Sequence, residues 1–153
     1  SSAASDVYKR QDLAAKIPDG SVPNTFAANS LSAAVSLTNI SLLQDPELGL
    51  INRAHQLGQE AQDYIRGFNS PYIGEVRGRG LMIGIELVED KTTKAPLSGE
   101  NLGKLMGYVL SHGVLMVPCG RYTNVMRVMP SLTIPRKLLF KALDVFHEGL
   151  KSL

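Results

Sequence analysis

Apolar residues recur at three- and four-residue spacings in four stretches of the chain, and this periodicity predicts four helices. The first, residues 30–43, is small or apolar on most sides, so we expect it to be buried on more than one face. The second begins at Asp45-Pro46, where a capping aspartate precedes a proline that the first helical turn tolerates. The third is capped by Ser98 and closed by Gly113, and the fourth begins at Pro135.

Four shorter segments with alternating or continuous apolar residues predict strands. Two lie within residues 72–88, separated by a glycine-assisted bend at residues 77–80, and two more cover residues 114–117 and 125–129. The polar stretch 89–99 predicts a surface loop. The resulting order is helix, helix, strand, strand, helix, strand, strand, helix. This order predicts an α+β fold, a short sheet covered on one side by helices, or else part of a larger α/β protein.

Composition narrows the classes of function. The chain of 153 residues is 44% apolar and 20% charged, which is typical of one globular domain. Its net charge of +2 is too weak for a protein that binds nucleic acid or a membrane surface through charge. A single cysteine excludes an internal disulfide framework, and no Cys/His cluster has the spacing of a metal site. Because no run is long enough to span a bilayer and no secretory leader is recognisable, we predict a cytoplasmic protein.

The sequence lacks the common catalytic and phosphate-binding motifs. It contains no GxGxxG after a strand, no Walker loop, no HExxH and no GxSxG. His55, His112 and His147 are far apart in sequence, and each lies in or at the end of a predicted helix. We interpret the histidines as surface or capping groups and assign no catalytic residue.

Arg127 and Thr25 are the candidate binding residues. Arg127 lies in the middle of a predicted strand, where its guanidinium must face solvent or a cleft, pair with an acid, or bind an anion. The five donors of a guanidinium suit a carboxylate. Thr25 precedes a helix start, where a threonine either caps the helix or contributes to a phosphate site.

Four sequence blocks together resemble the C-terminal third of the class III (ornithine/4-aminobutyrate type) aminotransferases, which depend on pyridoxal phosphate. Residues 24–29 (NTFAAN) are similar to the family's GTFGGN, and residues 74–87 (GEVRGRGLMIGIEL) follow its VRGxGLMxGIEL. Residues 112–115 (HGVL) match a strand start, and residues 124–134 (NVMRVMPSLTI) resemble NVLRxxPPLTI. The resemblance covers residues 20–153, and the second and fourth blocks are its most specific parts.

The resemblance implies a domain organisation. Residues 45–153 would form the C-terminal small domain of a fold-type I enzyme, with a short, mainly antiparallel sheet covered by helices. Residues 20–44 would be the end of the large cofactor-binding domain and a linking helix that belongs with it. We interpret residues 1–19 as a tail or a cloning or sequencing remnant with an irregular lead-in, or the edge of a longer protein. A natural disordered N-terminus is the alternative.

The resemblance also implies roles for the two candidate residues at a homodimer interface. Thr25 would contact the phosphate of pyridoxal 5'-phosphate in the neighbouring subunit, and Arg127 would bind the carboxylate of the amino-acid or 2-oxo-acid substrate. Ala27 and Ala28 stand where the family has glycines, and Ser30 stands where it has proline. The added methyl groups would narrow the turn beside the phosphate.

The implied function is that of a transaminase segment. The stretch 119–125 is similar to the 4-aminobutyrate branch, so the expected reaction moves an amino group from an ω-amino acid to a 2-oxo acid. None of the eight lysines has the sequence context of the family's Schiff-base lysine, so we predict that this chain alone is inactive. One alternative is a stand-alone α+β module that binds a small molecule through Arg127 without catalysis. Another is a structural piece whose helix 30–43, without a large domain to cover it, exposes an apolar patch.

Overall fold

The structure, a computed structural model, describes residues 15, 16, 18 and 29–153, and it confirms the α+β class. The chain divides into two compact units, Ser1–Ile40 and Ser41–Leu153. Within the described residues the elements are α1 (Ser30–Gln44), α2 (Leu50–Arg66), β1 (Ile73–Arg79), β2 (Met82–Asp90), β3 (Ala95–Pro96), α3 (Gly99–Ser111), β4 (Val117–Cys119), β5 (Val125–Val128) and α4 (Arg136–Lys151). The order of elements agrees with the prediction, with the short β3 added.

Helix α1 departs from its expected burial. The Asn29 side chain caps it by accepting a hydrogen bond from the Ser32 amide at 3.0 Å. No residue of α1 is buried, and Leu31 is 74% exposed. The expectation that this helix is buried on more than one face is therefore wrong for this chain. A helix that is apolar on all sides has the composition of a buried helix, although none of its residues is buried in this chain.

The second unit is built on an antiparallel sheet with the strand order β1-β2-β5-β4, and β3 pairs with the end of β2. Strands β1 and β2 are joined by a two-residue loop in which Gly80 takes a φ of +55°, a conformation that favours glycine. Helix α2 crosses close to this loop, because a Cβ added at Gly58 would lie 2.0 Å from the Gly80 carbonyl oxygen. The two glycines therefore allow the helix and the hairpin to pack.

One face of the sheet is covered and forms the core. Its buried residues pack with buried side chains of α2, α3 and α4 in a single cluster. On β2 this face carries Ile83, Ile85 and Leu87, which are at most 1% exposed. Such burial is the main source of stability in a domain of this size. Gly84 and Glu86, which alternate with them, point to the opposite face, which is open at these two positions.

Two predicted boundaries differ from the structure. Asp45 caps only one turn, accepting hydrogen bonds from the amides of Glu47 and Leu48, and α2 begins after Gly49, whose φ of +54° interrupts the helix. The apolar run 114–117 is mostly a connection that buries Met116, and pairing of β4 with β5 begins only at its last residue. Apolar continuity reflects burial, and it does not require strand pairing.

Other boundaries are confirmed. Ser98 caps α3 by accepting from the Asn101 amide at 3.3 Å, and Gly113 follows the helix with a φ of +77°. Pro135 immediately precedes α4. Within the segment expected to be a loop, residues 89–99, the structure adds the two-residue strand β3.

Candidate functional site

Arg127 lies on the open face of the sheet. Its neighbours on β5, Met126 and Val128, are buried, whereas the Arg127 side chain is exposed. The strand that holds the arginine is thus anchored on both sides by core residues, and the guanidinium remains outside the core. Of the situations that the sequence left open for Arg127, the structure shows the one in which it faces outward.

A second arginine faces Arg127 across a glycine. Arg77 on β1 and Arg127 on β5 are both register partners of Gly84 on the central strand β2. Gly84 has no side chain, and both arginines line a space beside it; a Cβ added at Gly84 would lie 3.3 Å from Cγ1 of Val125 on β5. We call this space of about 310 Å³ the arginine cleft, and it is lined by Arg77, Gly78, Met82, Ile83, Gly84, Cys119 and Arg127.

The two arginines of this cleft differ in their partners. Nη1 of Arg77 donates to Oε2 of Glu75 at 2.6 Å and to Oε2 of Glu86 at 3.1 Å. The hydrogen bond to Glu86, together with the charges of both acids, raises the pKa of Arg77. Within residues 29–153, no carboxylate lies within ion-pair distance of the Arg127 guanidinium. Arg127 therefore has its donors available for an external anion.

An apolar groove also reaches Arg127. It has a volume of about 300 Å³ and lies where the β4–β5 end of the sheet meets α4. Its lining includes Val117, Met129, Ile134 and Leu139 besides Arg127. A molecule that binds at Arg127 would thus meet the arginine cleft on one side and the apolar groove on the other.

The residues of the second sequence block separate in the structure. Arg77 is directed to the arginine cleft, whereas Arg79 lines a polar cleft between α2 and the β1–β2 hairpin together with His55 and Arg66. Sequence reasoning treated this block as a scaffold of the small domain and missed the role of Glu75 and Glu86 as partners of Arg77. The signal was present as charged residues at alternating positions of two neighbouring predicted strands.

His55 and His112 occupy the surface and capping positions that were predicted, whereas His147 is half-buried in a ring stack. His112 is the C-cap residue of α3, and its Nδ1 lies 2.8 Å from the Tyr108 carbonyl oxygen. His147 stacks on Phe68 with ring centroids 4.0 Å apart. His55 is exposed in the polar cleft.

Thr25, the residue assigned to the cofactor phosphate, lies outside the described residues, as do Ala27 and Ala28. In the part of the chain that the structure describes, no group of three or more His, Cys, Asp or Glu side chains has the arrangement of a metal site. Over the same residues, every helix is too short or too polar to cross a membrane.

Comparison with known proteins gives a consistent result. The family model described as aminotransferase class-III matches residues 3–150. The chain is 35% identical over 136 residues to a 4-aminobutyrate aminotransferase of Mycobacterium tuberculosis, covering 88% of this chain and 29% of that protein. It is 28% identical over 149 residues to a 2-aminoadipate transaminase of Pseudomonas putida, covering 96% of this chain and 35% of that protein.

Solved structures agree with the sequence relatives. The structure of an aminotransferase of Bacillus anthracis superposes with a TM-score of 0.75 at 26% identity, covering 85% of this chain and 30% of that one. In each comparison the chain spans only about a third of the length of the protein it matches.

Proposed function

The chain belongs to the class III aminotransferases, and on that basis we propose that it is the C-terminal segment of a transaminase. The proposed reaction moves an amino group from an ω-amino acid resembling 4-aminobutyrate to a 2-oxo acid. The similarity to 4-aminobutyrate aminotransferases of Mycobacterium tuberculosis and Escherichia coli supports this donor, as does that to a 5-aminovalerate aminotransferase of Pseudomonas aeruginosa.

Arg127 is the residue that binds the substrate carboxylate in this proposal. The observation that carries it is the exposed guanidinium on a strand anchored by two buried neighbours, with no acid paired to it in residues 29–153. A guanidinium can donate two parallel hydrogen bonds to a carboxylate, which fixes both the position and the orientation of the bound acid. Orientation of this kind lowers the barrier of a reaction at a neighbouring group.

Class III aminotransferases use pyridoxal 5'-phosphate, which when bound supplies an electron sink for the amino carbon. Thr25 is the residue of this chain that we assign to its phosphate, across a homodimer interface in a cytoplasmic enzyme. Because the residues that we assign to the cofactor lie outside the described part of the chain, we derive no step through that group. The contribution of the described residues is to bind and orient the carboxylate and to pack apolar surface beside it.

The test replaces Arg127 in the complete enzyme. Arg127→Gln removes the positive charge and the paired N–H donors of the guanidinium. We therefore expect the KM for both carboxylate substrates to rise about 10- to 100-fold. The matched control is Arg121→Gln, which removes the same charge from the turn before β5, where the Arg121 guanidinium lies over Tyr122. Steady-state kinetics with both substrates measure the effect.

An unchanged KM in Arg127→Gln would contradict the proposed binding role. The 153-residue chain itself should show no transaminase turnover, because it lacks a lysine in the Schiff-base context. Measurable turnover by the purified chain would overturn the assignment as a segment. Saturable binding of an amino acid to a monomer of the chain, measured by calorimetry, would favour the stand-alone binding module instead.

A further inference from the structure

The polar cleft between α2 and the β1–β2 hairpin is a second cavity with basic walls, and the proposed function leaves it without a role. Its volume is about 280 Å³. Three basic side chains, two glutamines and two glycines line it: His55, Arg66, Arg79, Gln59, Gln62, Gly78 and Gly80. Among the described residues, no carboxylate contributes to this lining. A concave surface with charge of one sign concentrates ions of the opposite sign, so the polar cleft should attract anions.

The sequence of α2 accounts for one wall of the polar cleft. The helix contributes four side chains that recur at intervals of four, three and four residues: His55, Gln59, Gln62 and Arg66. This spacing places them on one face of the helix. The hairpin is held against the helix where the backbones of Gly58 and Gly80 meet, and it brings Arg79 to the same cavity.

Part of this wall is already fixed by internal hydrogen bonds. Nη2 of Arg66 donates to Oε1 of Gln62 at 3.3 Å and to the Val76 carbonyl oxygen at 3.0 Å, while its Nη1 donates to Asp63 at 2.8 Å. Nε2 of Gln62, a buried side chain, donates to the Gly58 carbonyl oxygen at 3.3 Å. Because these groups are ordered before any ligand arrives, binding costs less conformational entropy.

Arg79 carries the positive charge of the polar cleft that remains unbalanced. Its side chain is exposed, and its register partner on β2 is the apolar Met82. Two acids of the same strand pair, Glu75 and Glu86, are joined to Arg77 instead. Within residues 29–153, no carboxylate lies within ion-pair distance of the Arg79 guanidinium. The donors of Arg79 are therefore available to an anion in the cleft.

We propose that the polar cleft binds the phosphate group of a small molecule, with Arg79 donating from the hairpin and His55 and Gln59 donating from α2. A guanidinium gives two parallel hydrogen bonds to a phosphate. A phosphate is tetrahedral, so its oxygens can accept from the hairpin and the helix at once, whereas the two oxygens of a carboxylate lie in one plane. The inference goes beyond the proposed function and does not depend on it, because Arg127 takes no part in this site.

The test is calorimetric titration of inorganic phosphate into the complete enzyme with its cofactor bound. We expect saturable binding with a Kd of about 1 mM or tighter. Arg79→Gln should weaken it at least about 10-fold, because a charged donor pair is lost. His55→Gln should weaken it about threefold, as for a single hydrogen bond. The matched control is Arg121→Gln, which removes the same charge outside the cleft and should leave the Kd unchanged.

A further variant separates this site from the candidate site for the substrate carboxylate. Arg127→Gln should leave phosphate binding intact. Loss of phosphate binding in Arg127→Gln but not in Arg79→Gln would place the anion in the arginine cleft and overturn the inference. Equal weakening in Arg79→Gln and Arg121→Gln would also overturn it, because the effect would then reflect total charge alone. Circular dichroism of each variant verifies that any loss of binding is not a loss of fold.

Two other probes define the chemistry of the ligand. Glycerol phosphate should bind at least as tightly as inorganic phosphate if the site takes a phosphate ester, whereas selective binding of inorganic phosphate would identify the free ion; either result supports a phosphate site. Acetate should bind at least about 10-fold more weakly. Acetate binding as tight as that of phosphate would contradict the assignment, as would the absence of saturable binding of both phosphate probes.

Discussion

The two faces of the sheet are made from the same strands, but one face stabilises the fold and the other carries the charged residues of the candidate site. On β2, Ile83, Ile85 and Leu87 point into the core, while Gly84 and Glu86 alternate with them on the open face. The covered face removes apolar area from water and supplies most of the stability. The open face places charges on a backbone that the covered face has already fixed. Substitutions of charged residues on the open face should therefore change the free energy of unfolding only slightly, because exposed ion pairs contribute little stability.

The largest expected difference between the faces comes from truncating one residue on each face of β2. Ile85 is fully buried, so Ile85→Ala should lower the free energy of unfolding by about 2–5 kcal/mol. Met82 is 61% exposed on the other face, so Met82→Ala should change it by about 0.5 kcal/mol or less. Urea denaturation of the two variants measures both values. Equal losses would mean that the open face is packed as tightly as the core.

The close approach of α2 to the covered face should give an intermediate effect. An alanine Cβ at position 58 would lie 2.0 Å from the backbone of Gly80, so Gly58→Ala should cost about 1–3 kcal/mol through displacement of the helix or hairpin. Gly103 is a matched control, because nothing lies within 4 Å of a Cβ added there and it is exposed on α3. Gly103→Ala should stabilise the chain by about 0.5–1 kcal/mol. A stabilising Gly58→Ala would show that this contact is loose.

The smallest effect tests an exposed acid that does support the fold. Glu89, at the end of β2, accepts hydrogen bonds from the Ser98 amide at 2.8 Å and from Asn101 at 3.0 Å, at the start of α3. These bonds lower the pKa of Glu89 from its ordinary value of 4.5. The charged form is therefore favoured by folding, and its contribution is present above about pH 4.5 and lost as the pH falls through the lowered pKa.

Glu89→Gln should accordingly lower the Tm by more at about pH 7 than at about pH 3, because the wild-type carboxyl loses its charge as the pH falls through its lowered pKa. Thermal unfolding monitored by circular dichroism at both pH values checks this. A Tm difference that persists unchanged at the lower pH would show that the carboxylate charge is not the cause.

Much of the architecture was predictable because it depends on local signals. Alternation from Leu81 onward predicted β2, and side-chain capping at Ser98 together with the glycine after α3 predicted that helix. The burial of α1 was not predictable from the same signals, since periodicity describes the surface of a helix and not what covers it. The start of α2 was placed too early because an aspartate such as Asp45 accepts the same hydrogen bonds from the following amides in a single turn as it does at the start of a helix.

The candidate site was predictable only in part. Arg127 could be selected as a charged residue in the middle of an apolar strand, and the structure places it on the open face. Its relation to Arg77 could not be predicted, because it depends on the register of β2 against both β1 and β5. Register across strands that are distant in sequence is set by the assembled core and leaves no local signature.

The short loop between β1 and β2 also has a consequence for the order in which the molecule assembles. A hairpin closed by two residues forms within about 1–10 μs, whereas β5 joins the sheet only after a much longer stretch of chain, including α3, has been brought together. We therefore expect Glu86 to meet Arg77 early in folding, before Arg127 arrives at the neighbouring edge. The kinetics of folding and the final ion pairing would then favour the same partner for Glu86.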